Sequence, residues 1–508
     1  MLEISVNRLL LLVCGFIVIF DNLVFWDKLF QRIEFFEASG FGFFWGFIAL
    51  MFVVLYLILV LFSNKYTLKI FLSIMLIISA IIGYFSELGV VFDQFMLTNV
   101  IDNIKEQNTK EAQELLSVPL VVHVSIFAFV PIALLWIVKI KRQSFLVESR
   151  NRILTTLAVA VIAIILIWSN MKYVTYFGRE NRDLRYFINP LFVIKSGYSY
   201  IDDIFYSKEI FKVIGNDAVI HKNNKKKTVG IFIVGETARA DRFSLNGYHK
   251  LTNPLLAKRT LMNFTNVSSC GTSTAYSVPC MFSLLSKNNY SPQKADNQSN
   301  ALDILQKTGV KVFWIDNNSS CKGVCNRIES EDILDQNKLD ISMLDNLKHY
   351  IDKQESDVLI VLHSLGSHGP RYYKRYPQAF EKFTPACKNT PEKCTHEEVD
   401  NAYDNSILYT DYLIDSAIQL MNKNYPDSFV FYASDHGESL GEKGVYFHGL
   451  PYVIAPKAQT HVPMLAWFSD KKSGNVNQVL SHDNISHSLL GLFNVETKVY
   501  NEALDLFR

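Results

Sequence analysis

The sequence has almost no net charge: 50 Lys and Arg offset 49 Asp and Glu, leaving +1 over 508 residues. Without a concentrated positive field there is no reason to expect nucleic acid as a partner. Internal repeats are absent, which removes solenoid arrays. So are low-complexity tracts, apart from "HKNNKKK" at 221–227, which reads as a solvated turn with some affinity for anionic lipid. Cysteine is scarce in the first half, where Cys14 stands alone, and the other six lie beyond residue 269. No long polar stretch follows the first apolar run, because a second begins near residue 41; a retained span fits this better than a cleaved leader.

What is plentiful is apolar length at one end. Five stretches, 9–26, 41–62, 67–86, 120–138 and 152–169, approach the roughly 20 residues a helix needs to cross a bilayer. Asp21 and Asn22 interrupt the first of them. Arg8, then Lys65 and Lys69, then Lys139, Lys141, Arg142, Arg150 and Arg152 flank alternate ends, while the loops 27–40 and 87–119 carry more Asp and Glu than Lys and Arg. Basic short loops stay cytoplasmic, so the pattern predicts a cytoplasmic N-terminus and puts everything after residue 170 outside the cytoplasm. The cysteines agree. Cys270 with Cys280, Cys321 with Cys325 and Cys387 with Cys394 are close pairs, and an even set in an exported domain predicts disulfides. The alternative is a zinc-binding cysteine cluster, against which "CKGVC" (321–325) lacks the two-residue spacing.

Three parts follow: a five-helix transmembrane domain over 1–170, an amphipathic linker on the membrane surface over 171–227, and a soluble domain outside the cytoplasm over 228–508. The linker is rich in Tyr, Phe and Arg, which suit the headgroup region. Beyond it, the apolar runs "TVGIFIV" (228–234), "KVFWI" (311–315), "DVLIVLH" (357–363), "SFVFYAS" (428–434) and "HVPMLAWF" (461–468) alternate with helical stretches. That alternation predicts an α/β domain with a mostly parallel sheet sandwiched by helices. Ligands of such sheets collect at the carboxyl ends of strands.

Glu236 follows the first of these runs, and Asp435 and His436 follow the fourth. Two carboxylates and an imidazole in one crevice raise one another's pKa unless a cation sits between them. A divalent metal resolves this, zinc first and manganese second by donor type. A fourth ligand has four hydroxyl candidates in "SSCGTSTAYSVPCMFS" (268–283): Thr272, Ser273, Thr274 and Ser277, just ahead of a predicted helix. A hydroxyl at a helix N-terminus beside a metal is set up as a nucleophile, and a disulfide from Cys270 to Cys280 would hold it in place.

"VGETARADRFSLNGY", "CGTSTAYSVPC", "DNNSSCKGVC", "SHGPRYYKRYP" and "SDHGESLGEKGVYFHG" occur here in order, and with them the chain resembles the lipid A phosphoethanolamine transferases over essentially its whole length. Those are inner-membrane enzymes with a periplasmic domain of the alkaline phosphatase/sulfatase fold. The resemblance implies zinc held by Glu236, Thr274, Asp435 and His436, with Thr274 as the residue that becomes phosphoethanolamine-modified. It implies further that Lys322, His368 and His448 stand near the transferred phosphate and that Asn318 and Ser319 contact substrate. The family's Asn, Thr and Glu at four-residue intervals after the third span are matched imperfectly. Asn99 or Asn103 pairs with Glu111, and Gln107 or Asn103 stands where Thr is expected.

The implied reaction moves phosphoethanolamine from phosphatidylethanolamine to lipid A through a threonine adduct, in a monomer of the bacterial inner membrane, and protects against cationic peptides such as polymyxin. Rival readings are a phosphoglycerol transferase of the lipoteichoic acid synthase type and a catalytically inactive lipid-binding scaffold. A sulfatase would need a Cys or Ser opening C-x-P-x-R, which the chain lacks.

Overall fold

The computed structural model describes residues 3–508 apart from 34, 62–66, 94–95, 98–116, 142–143, 207–209, 222–225, 334–337, 390 and 472–473. The chain divides into two compact units, Met1–Lys208 and Glu209–Arg508.

The first unit is helical. α1 (Val6–Phe20) and α2 (Leu23–Phe30) are followed by α3 (Ala38–Leu61), α4 (Leu68–Glu87), α5 (Val118–Ile137) and α6 (Phe145–Ser169). Four of these helices are long and apolar enough to cross a membrane, and α1 with α2 makes a fifth only if the pair, bent by 54°, counts as one span. The bend falls at Asp21 and Asn22, the polar residues that interrupt the first apolar run. Asn22 explains it: its side-chain amide donates to the Ile17 carbonyl at 2.9 Å and to the Asn189 carbonyl at 2.8 Å, so it serves the backbone where helical pairing stops. After α6 come α7 (Met171–Glu180), a short 3-10 turn (Arg182–Phe187) and α8 (Leu191–Tyr206).

The second unit is built on a nine-stranded mixed sheet. Its strands are β1 (Val229–Gly235), β2 (Met262–Ser268), β3 (Lys311–Asp316), β4 (Glu329–Asp332), β5 (Val358–His363), β6 (Ser428–Ser434), β7 (His461–Phe468), β8 (Gly474–Val476) and β9 (Leu480–Ser481). The order is β8-β2-β7-β6-β1-β5-β3-β4, with β9 also on β2. β6, β1, β5, β3 and β4 are mutually parallel, whereas β7 runs antiparallel to both β6 and β2.

All seven residues of β1 are buried, which is why the central strands read as continuous apolar runs. Alternate side chains enter opposite cores. Phe232 and Val234 pack with Trp314, Phe282 and Leu489 on one face, and Ile231 and Ile233 with Tyr403, Ile414 and Leu347 on the other. The first core is roofed by α9 (Thr274–Phe282) and α11 (Asp483–Leu492), the second by the long α10 (His396–Asn424). The six cysteines of this unit form three disulfides, Cys270–Cys280, Cys321–Cys325 and Cys387–Cys394.

Candidate active site

The parallel strands deliver their next residues to one edge of the sheet. Glu236 follows β1, Asp435 and His436 follow β6, and all three are at most 1 % exposed. The His436 Nε2 lies 3.5 Å from Glu236 Oε1 and 3.3 Å from Asp435 Oδ2. α9 begins at Thr274, whose hydroxyl donates to Glu236 Oε2 at 2.9 Å and lies 3.3 Å from His436 Nε2. Of the four hydroxyls in this loop, Thr274 is the one brought to the cluster. Ser277 instead accepts the Gly271 N–H at 2.9 Å and Thr272 donates to the Leu450 carbonyl at 2.6 Å, so both brace the loop. Ser273 is the N-cap residue of α9 without a side-chain capping bond.

These residues fit a divalent cation. Glu236 Oε1 and Asp435 Oδ2 are buried without a hydrogen-bond partner among the described residues, an arrangement that is costly unless something positive meets them. The remaining oxygens are held in place: Asp435 Oδ1 accepts the N–H groups of Thr237 and His436, and Glu236 Oε2 accepts the Asn318 amide at 2.8 Å. His436 Nδ1 donates to the Gly437 carbonyl at 2.9 Å, which leaves Nε2 with its lone pair facing the carboxylates. With no cation present, burial pushes the Glu236 carboxyl up to about 7, aided by the Asp435 charge, and burial alone does the same to Asp435. Both shifts measure how strongly the pocket resists two bare anions.

His368 and His448 border this cluster. Glu236, His368 and His448 bring ligating atoms within 4.8 Å of one another, and the His448 ring centre lies 4.2 Å from that of His436. His368 is carried on the turn after β5. Gly366 in that turn has φ +49, and a Cβ there would meet the Glu236 carbonyl oxygen at 2.7 Å, so the close approach requires glycine. Asp340 secures the same turn by accepting the N–H groups of Leu365 and Gly366 at 2.8 Å each. Lys322 binds Ser319 through its ammonium and lines a separate cleft of about 370 Å³ with Pro279 and Ser283. Asn99, Asn103 and Glu111 lie outside the described residues.

Sequence reasoning missed Glu438 and His482. Glu438 is fully buried, holds His448 Nδ1 at 2.6 Å and accepts the Tyr372 hydroxyl at 2.9 Å. It stands two residues after His436, in the tetrapeptide "DHGE" (435–438), and that proximity was the available signal. His482 had none.

A buried carboxylate–imidazole pocket facing a threonine hydroxyl at the carboxyl edge of such a sheet fits the alkaline phosphatase and sulfatase class, and residues 228–495 match the sulfatase family model. Residues 51–204 match a second model, that of the phosphoethanolamine transferases EptA/EptB. The chain belongs to the phosphoethanolamine transferase family. It is 37 % identical to phosphoethanolamine transferase EptA of Escherichia coli (strain K12), over 99 % of this chain and 97 % of that one. It is 36 % identical to phosphatidylethanolamine transferase Mcr-1 of Escherichia coli, over 95 % and 94 %. The solved lipooligosaccharide phosphoethanolamine transferase A of Neisseria meningitidis, an integral membrane protein, superposes with a TM-score of 0.61 at 31 % identity, covering 99 % of this chain and 98 % of that one.

Proposed function

We propose that this chain transfers phosphoethanolamine from phosphatidylethanolamine to lipid A through an adduct on Thr274, and that Glu236, Thr274, Asp435 and His436 hold zinc. When bound, such an ion acts as a Lewis acid, lowering the pKa of the threonine hydroxyl and polarising a phosphoryl oxygen. The observation that carries the reading is the Thr274 hydroxyl directed at Glu236 Oε2, 2.9 Å away, in a pocket with two orphaned carboxylate oxygens.

In the first half-reaction the Thr274 oxygen bonds to the donor phosphorus, its proton leaves toward Glu236, and the bond from phosphorus to the diacylglycerol oxygen breaks. His448, oriented by Glu438, supplies the proton that the departing oxygen takes. His368 offsets charge on the transferred phosphoryl group. In the second half-reaction an oxygen of lipid A bonds to the same phosphorus and gives its proton to His448, the bond from phosphorus to the Thr274 oxygen breaks, and that oxygen regains its proton from Glu236. The acquired ammonium offsets phosphate charge on the outer surface and weakens attraction of cationic peptides such as polymyxin. The described residues of 171–227 run along the membrane surface, and the catalytic unit lies in the periplasm.

The test is mass spectrometry of the Thr274 peptide after the full chain meets phosphatidylethanolamine. A phosphoethanolamine adduct is expected. A phosphoglycerol adduct from phosphatidylglycerol, or no adduct with any phospholipid, would refute the proposal.

A further inference from the structure

A second cluster of orphaned oxygens lies in the helical unit, where α1 breaks. Asp21 is 3 % exposed, and both its carboxylate oxygens lack a hydrogen bond among the described residues, although the Ser79 hydroxyl stands beside them. The Ser79 hydroxyl and the Asn189 Oδ1 are unpartnered as well. These groups are neighbours, because the Asn189 amide donates to the backbone carbonyls of Asp21 at 3.0 Å and Ser79 at 2.7 Å. So buried carboxylate and amide oxygens converge with the Ser79 hydroxyl beside them. Asp21 opens on a cleft with a free volume of about 10 Å³, room for a single group of water size, whose rim includes Glu87 and His123.

A larger cleft, of about 390 Å³, shares Phe25 with the first. It is lined by Phe43, Phe47 and Leu29 on one side and by Arg179, Arg182 and Arg185 on the other. Asp183 is the one acid of the 181–187 segment, and Arg32 takes it in a paired contact of 2.7 and 2.8 Å. Burial and the neighbouring Arg179 and Arg185 cations push the Arg182 pKa below its usual value, as expected of a guanidinium awaiting an anion.

Both clefts open at one end of the bundle. Spans alternate in direction, so the end of α1, the end of α4, the start of α5 and the end of α6 share a side, the one at which the chain continues toward the catalytic unit.

We propose that these two clefts form one phospholipid site, in which Asp21 receives the primary ammonium of phosphatidylethanolamine, the three arginines its phosphodiester, and the phenylalanine-lined wall an acyl chain. A primary ammonium offers three N–H donors to the unpartnered oxygens and fits a water-sized space that a methylated amine would overfill. This assignment rests on the proposed function, since it names where the donor lipid is held.

The experiment measures binding of phosphatidylethanolamine and phosphatidylglycerol to the full chain carrying Thr274→Ala, which prevents turnover. Asp21→Asn is expected to lower affinity for phosphatidylethanolamine about tenfold, to the level of phosphatidylglycerol, and to leave phosphatidylglycerol unchanged. Arg182→Gln should weaken both lipids. If Asp21→Asn does not fold, Gly83→Ala decides the matter. A Cβ there meets Asp21, His123 and Asn189 at 3.4, 3.6 and 3.8 Å, ordinary contact distances, and fills the small cleft. Retained preference for phosphatidylethanolamine in the variant that folds, or equal loss of both lipids, would overturn the site. An adduct on Thr274 together with Asp21-independent binding removes this inference alone. Asp21-dependent binding without any adduct removes the transfer reading and leaves the site standing.

Discussion

His482 Nδ1 accepts the backbone N–H of Cys270 at 3.1 Å, and its Nε2 donates to the Ser434 carbonyl at 3.0 Å. One neutral imidazole thus joins the loop that carries Thr274 to the strand that ends at Asp435. Burial pushes its pKa down to about 3. An unfolded histidine takes up a proton near pH 6.5, so stability from this group is complete above that value and is lost as pH falls toward 3. Thermal unfolding should therefore show a melting temperature that declines from pH 7 to pH 5. His482→Gln, which keeps one donor and one acceptor, should flatten that decline; an unchanged slope would contradict the assignment.

Thr274→Ala removes one partly buried hydroxyl and no core contact, so its unfolding free energy should stay within about 1 kcal/mol of the parent's. Transfer to lipid A should fall on the order of 10⁴-fold or more, as for other nucleophile deletions. Rates measured with labelled phosphatidylethanolamine check this, and a loss of less than tenfold would move the nucleophile elsewhere.

The carboxyls of Glu236 and Asp435, both raised to about 7 in the metal-free pocket, make ion binding compete with protons. Carboxyls raised in the folded state contribute stability at low pH that disappears as pH climbs through 7. The ion reverses this, so the rise in melting temperature on adding zinc to chelator-treated protein should grow between pH 6 and pH 8. At a hundredfold excess over Kd the added stability should reach about 2.7 kcal/mol. A pH-independent rise would show that these carboxylates are not the ligands.

Glu438→Gln keeps the volume but removes the charge that holds His448 Nδ1. The turnover rate should drop by up to about 10², with KM little changed, because general acid help is typically worth 10²–10⁴. Tyr372→Phe, which deletes one bond to the same carboxylate, should cost less. Equal effects of both on KM would instead assign Glu438 to substrate binding.

Much of the catalytic unit was legible because burial on both faces writes a strand as an unbroken apolar run. All five expected strands formed, and Glu236, Asp435 and His436 follow from asking what comes next in the chain. β2 escaped notice because its "MNFTNVS" mixes buried Phe264 and Val267 with exposed Asn266. The break at Asp21 and Asn22 was visible, but not its partner Asn189, 167 residues away. His482 was hidden for the same reason: its bonds join distant segments, and nothing in the local pattern of a lone histidine records that. Among the four loop hydroxyls the local pattern does not separate Thr274; the resemblance points to it, and its hydroxyl is the one that reaches Glu236.

Because β6 is threaded between β1 and β7, the sheet cannot close until nearly the entire catalytic unit has been made. Thr237, beside Glu236, meets Asp435 across 198 residues. No shorter fragment brings Glu236, Asp435 and His436 together, so the cluster exists only once the whole sheet has closed.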